Sequence, residues 1–102
     1  MASPANPSLD LVSPEAVPYF NWDAPVTNAE VRSALGSGSE DVKLFWIARI
    51  LREARYPDVW QYLSLTKDVL PRWDVLRARL GRQRPFWEYL ITGWRHDGLV
   101  PG

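Results

Sequence analysis

The chain contains no cysteine and only one histidine, His96. The first absence removes disulfides, thiol catalysis and thiolate metal sites. The second leaves no pair of imidazoles to hold zinc, so no metal or cofactor is expected. No run approaches the roughly 20 apolar residues of a membrane helix, and no membrane partner is expected. The opening stretch MASPANPSLDLVSP has neither a positive start nor an apolar core, so it does not read as a secretory signal, and a cytoplasmic location is the expectation. A net charge is also lacking: 12 basic residues balance 12 acidic ones. Nucleic-acid-binding domains ordinarily carry a basic excess, and this chain has none overall.

What the chain does have is aromatic mass. Six tryptophans sit in 102 residues of which 46% are apolar, enough for one packed domain. The charge is also lopsided. Residues 1–42 carry six acids against Arg32, whereas residues 43–102 carry eleven Lys and Arg against six acids. Either the acidic half covers the basic one, or the basic half meets an acidic partner.

Residues 1–18 include Pro4, Pro7, Pro14 and Pro18 among small polar residues, which predicts an extended tail. Tyr19, Phe20 and Trp22 are too apolar for a free linker. They form a strap, 19–25, that either docks on the chain's own body or lies in a partner's groove. Thr27 to Glu30 spells a capping box, and Gly36-Ser37-Gly38 stops the helix that follows. Ser39 caps a second helix, about 40–55, whose apolar residues cover most of its circumference. Trp46 and Ile47 are therefore expected inside, and Arg49, Arg52 and Arg55 toward water. Pro57 opens a third helix at about 57–63. A fourth runs over about 65–80, bent or split by Pro71, and a fifth over about 84–96. The second and third look like a HEAT-type hairpin that the others must cover. The expected fold is all-α: a compact five-helix domain at 19–98 containing that hairpin, with a proline-rich tail before it and a short tail at 99–102.

Three motifs invite a functional reading. Arg72, Arg77, Arg79, Arg82 and Arg84 crowd into thirteen residues, with Trp87 and Tyr89 nearby. Arginine there can bind phosphates and stack on bases, can meet an acidic protein partner, or can simply cap a helix end in solvent. His96 beside Asp97, with Glu88 and Glu53, is the one conceivable acid–base set, and a dipole-favoured histidine at a helix end explains it as well. Gly36-Ser37-Gly38-Ser39-Glu40 lacks the lysine of a phosphate loop. No catalytic signature emerges, and a non-enzymatic protein is expected. The partner-binding candidates are Arg72, Arg77, Arg79, Arg82, Arg84, Tyr19, Phe20 and Trp22.

The Trp22-Asp23 pair, the run Ile47-Ala48-Arg49-Ile50-Leu51, Asp58-Val59, and Phe86-Trp87 at the start of the last helix together resemble an uncharacterised family of small bacterial all-helical proteins. Those proteins are encoded beside nucleotidyltransferase-fold toxins of the abortive-infection type. The resemblance spans about residues 20–95. It implies a non-enzymatic accessory or antitoxin-like protein-interaction module whose partner is a nucleotidyltransferase-like toxin, and it transfers no catalytic residue. A nucleic-acid-binding regulator using the arginines at 72–84 is the alternative.

Overall fold

Thr27 begins the helical body as its spacing with Glu30 requires. Its hydroxyl accepts from the Glu30 amide, and the Glu30 carboxylate accepts from the Thr27 amide. The computed structural model describes residues 9–100 and contains five α-helices there: α1 (Asn28–Ser37), α2 (Glu40–Glu53), α3 (Tyr56–Val59), α4 (Trp73–Leu76) and α5 (Arg84–His96). No strand is present among the described residues. The all-α reading holds, and α2 is central: it packs against α1, α3, α4 and the turn at Gly81–Gln83.

The turn between α1 and α2 is glycine-rich for a steric reason. A Cβ on Gly38 would lie 2.5 Å from the Ala34 carbonyl oxygen and 2.8 Å from a Val42 methyl carbon. Ser39 then caps α2 by accepting from the Val42 amide, and Glu40 and Asp41 follow where the helix dipole favours negative charge.

α2 buries Leu44, Ile47, Ala48, Ile50 and Leu51, but its apolar stripe is narrower than its sequence implies. Trp46 is only half-buried and stacks edge-on against the exposed Phe45. Arg49 reverses the expectation outright: it is buried, because residues 19–25 fold over it. Its guanidinium donates to Asn21 Oδ1 at 3.2 Å, to the Phe20 carbonyl at 2.9 Å and to both oxygens of Asp23. Asn21 in turn donates to the Val26 carbonyl. Phe20 fills the core at 1% exposure, edge-on to Tyr62.

Part of the expected tail at 1–18 is packed. Residues 1–8 lie outside the described residues, and residues 9–18 pack on the body. Leu11 and Val17 are buried, and Asn28 holds the backbone beside them. The Asn28 side chain donates to the Asp10 and Ser13 carbonyls at 2.9 Å each and accepts from the Tyr62 hydroxyl at 2.6 Å. Burial pushes the Tyr62 phenol up to about 12, which keeps it a neutral donor. The Asn28 and Ala29 amides, free at a helix start, are taken by the Ala16 and Pro14 carbonyls.

The fourth helix is more broken than one bend. A π-helical turn at Leu65–Val69 and a 3-10 turn at Leu70–Arg72 precede α4, and a 3-10 turn at Arg77–Arg79 follows it. Pro71 has no N–H for the carbonyl four residues back. Arg72 compensates, donating from one guanidinium nitrogen to the Lys67 and Asp68 carbonyls at 3.1 and 3.0 Å. α3 is a single turn, so the HEAT-type hairpin with two matched arms does not form. α5 has the expected bounds and docks through Trp87, whose indole N–H donates to the Leu51 carbonyl at 2.8 Å.

Two substitutions check this architecture. Arg49→Met should lower stability by about 2–4 kcal/mol in a urea melt, because buried acceptors on the strap lose their donor. Asn28→Ala should cost a similar amount, whereas Arg95→Met, on an exposed residue, should leave the midpoint almost unchanged.

Candidate partner-binding surface

The five clustered arginines do not form one basic patch. Arg72 pairs with Glu40 at 2.6 Å, in addition to its backbone carbonyls, and so joins the start of α2 to the break before α4. Arg77 and Arg84 converge on one carboxylate, Glu88, at 2.5 and 3.2 Å. The hydrogen bond from Arg77, with a second from Arg84, holds Glu88 below the ordinary glutamate range. The hydrogen bond from Arg72 does the same for Glu40. The side chains of Arg79 and Arg82 are exposed and have no partner among the described residues.

Chain geometry explains this division. Arg77 and Arg79 lie on a 3-10 turn and Arg82 on the next, with Gly81 between them in the left-handed region at φ 53°. Leu80 is anchored in the core, so the turn swings Arg79 and Arg82 outward. Arg84 opens α5 one helical turn before Glu88, the spacing at which side chains on a helix meet.

Beside Arg82 a groove runs between the C-terminal end of α2 and the first turn of α5. Its larger part encloses about 300 Å³, lined among others by Arg52, Arg55, Tyr56, Phe86 and Trp87. A second part of about 230 Å³ shares Arg52, Glu53 and Gln83 with it and ends at Arg82. Arg52 is held in place by Glu53 at 2.9 Å and by the Arg79 carbonyl at 3.2 Å. Arg55 reaches Asp58 at 3.4 Å and lies over the Tyr19 ring. The aromatic wall is built from Tyr56 and Phe86, 5.8 Å apart and edge-on, over a buried Trp87. Both wall rings are partly open, Phe86 at 42% exposure.

The strap residues separate. Phe20 is core and unavailable to a partner, a correction that follows from Arg49 pulling its carbonyl inward. Tyr19 is half-buried; its hydroxyl donates to Asp58 at 2.6 Å and accepts from the Arg55 amide at 2.7 Å. Trp22 alone projects from the strap, 68% exposed. The acid–base set does not assemble: His96 is solvent-exposed beside Asp97, while Glu88 is occupied by arginines and Glu53 by Arg52. No metal-holding cluster of His, Cys, Asp and Glu occurs among the described residues, and no helix there is long and apolar enough to cross a membrane.

Sequence reasoning missed Arg52, Arg55, Tyr56 and Phe86. Their residue types were visible, but nothing in one dimension places the end of α2 against the start of α5. Comparison with known proteins finds no matching family model, no matching curated protein and no matching solved structure.

The lowered pKa of Glu88 has a definite sign. A carboxyl whose folded pKa lies below its unfolded value contributes stability above the unfolded pKa, and that contribution is lost as pH falls through the folded one. Glu88→Gln should therefore flatten the acid limb of the melting temperature plotted against pH, most clearly below the ordinary glutamate range. An unchanged acid limb would mean that Arg77 and Arg84 do not hold Glu88 in solution.

Proposed function

We propose that this chain is a non-enzymatic protein-interaction module, an accessory or antitoxin-like partner of a larger bacterial protein. The face around Arg79, Arg82, Tyr56 and Phe86 makes the contact. The observation that carries this reading is the distribution of charge: Arg52, Arg77 and Arg84 already have a carboxylate, whereas Arg79 and Arg82 are exposed without one, and Arg82 ends the groove in which the Tyr56 and Phe86 rings lie partly open. Nucleic-acid affinity grows with the number of phosphates neutralised, and two unpaired guanidinium groups supply little of it. Protein interfaces depend instead on a few aromatic and arginine anchors within a polar rim, which is the inventory present. The resemblance to proteins encoded beside nucleotidyltransferase-fold toxins supports the same reading and gives the class of partner, a nucleotidyltransferase-like toxin.

Arg79 and Arg82 can be reversed without breaking a contact that holds the fold, unlike Arg72, Arg77 or Arg84. The tagged protein purified from its host should bring down one protein in stoichiometric amount, and Arg79→Glu with Arg82→Glu should lose it while the melt stays unchanged. The unaltered protein should retain no oligonucleotide at near-physiological salt. Sub-micromolar oligonucleotide binding there, steeply salt-dependent and abolished by the same pair of changes, would replace this reading with a nucleic-acid-binding regulator.

A further inference from the structure

The groove is built to a particular shape before any partner arrives. Trp87 forms its floor and cannot turn away, because its indole is tied to the Leu51 carbonyl and its ring packs against Tyr56, Trp60 and Phe86. Arg52 is fixed at mid-length by Glu53 and the Arg79 carbonyl. Preorganisation of this kind lowers the ordering cost of binding. At about 300 Å³, the aromatic part is at the small end for a ligand pocket, with room for a large side chain rather than a cofactor.

Its charge is unbalanced along its length. Arg52, Arg55 and Arg82 line it against the single carboxylate of Glu53, which Arg52 already engages. Arg82 has no partner at one end, and Arg55 keeps most of its side chain in solvent at the other. Arg52 is matched by Glu53 and Arg55 by Asp58, so Arg82 is the cation that a neutral apolar segment would leave uncompensated, and a basic segment would be repelled.

We infer that the groove receives a short acidic segment of the partner protein, one that places an aromatic side chain against the open faces of Tyr56 and Phe86 and a carboxylate on Arg82. This rests on the protein-interaction reading and specifies which part of the partner is held. The aromatic ring meets ring edges and faces at ordinary aromatic contact, and the guanidinium supplies the forked donors that suit a carboxylate.

The test uses three end-blocked synthetic peptides and the full chain: EFEDFE, the same peptide with glutamine and asparagine for its acids, and the same peptide with serine for phenylalanine. Binding is followed by isothermal calorimetry and by the indole N–H resonances of the tryptophans. EFEDFE should bind saturably with one site and shift the Trp87 indole signal, and each altered peptide should bind at least about tenfold more weakly. Arg82→Glu, on an exposed side chain, should weaken EFEDFE by a similar factor while its circular dichroism and melt match the parent, and Phe86→Ala should weaken it likewise with the helical circular dichroism retained at the assay temperature. The inference fails if EFEDFE does not saturate, or if both variants bind it as the parent does. If the host protein is nonetheless captured through Arg79 and Arg82, the interaction reading stands and only the acidic aromatic segment is wrong. If neither the peptide nor a host protein binds, both fall.

Discussion

Arg49 is the constraint on which the rest of this structure depends. A charged side chain loses its water when it is buried and is tolerated only when every donor finds an acceptor. Here the acceptors come from the strap: a side-chain amide, a main-chain carbonyl and a carboxylate. Residues 19–25 must therefore lie where they do, and Phe20 is carried into the core beside Tyr62 as a consequence. A second polar anchor, Asn28, does the same for residues 9–18. The domain is thus wrapped by its own N-terminal segment, held by the buried Leu11, Val17 and Phe20 together with two side chains that saturate its polar groups.

That wrapping governs what is left for a partner. With Phe20 inside and Tyr19 engaged by Asp58 and Arg55, the strap offers only Trp22. The same contacts position Arg55, whose amide and guanidinium both meet Tyr19, at one end of the groove. Docking of the strap and shaping of the groove are therefore linked through one tyrosine. At the other end, Arg72, Arg77 and Arg84 are committed to Glu40 and Glu88, and they brace the irregular segment between Leu65 and Arg79. Such bracing is needed where proline interrupts the helical hydrogen bonds, and arginine serves because one guanidinium can reach two carbonyls and a carboxylate together.

Local chemistry was readable from the chain alone. The capping box at Thr27, the serine cap at Ser39, the all-α class and the bounds of α5 depend on residues within a turn or two of each other, so neighbouring residue types determine them. Long-range facts behaved differently. Arg49 belongs to a helix with Arg52 and Arg55 and shares their chemistry, yet only the arrival of the strap makes it interior. Trp46 is as apolar as Ile47, yet only the position of neighbouring elements leaves it half-covered. The arginine cluster was legible as a cluster. Its division into braced and free members was not, because Glu40 is 32 residues from Arg72 and Glu88 is 11 from Arg77. The sequence by itself determined where helices start and which residue types were on hand. Tertiary structure decided which charges were neutralised and where a groove opened, because burial and ion pairing are properties of spatial neighbours that sequence separation does not encode.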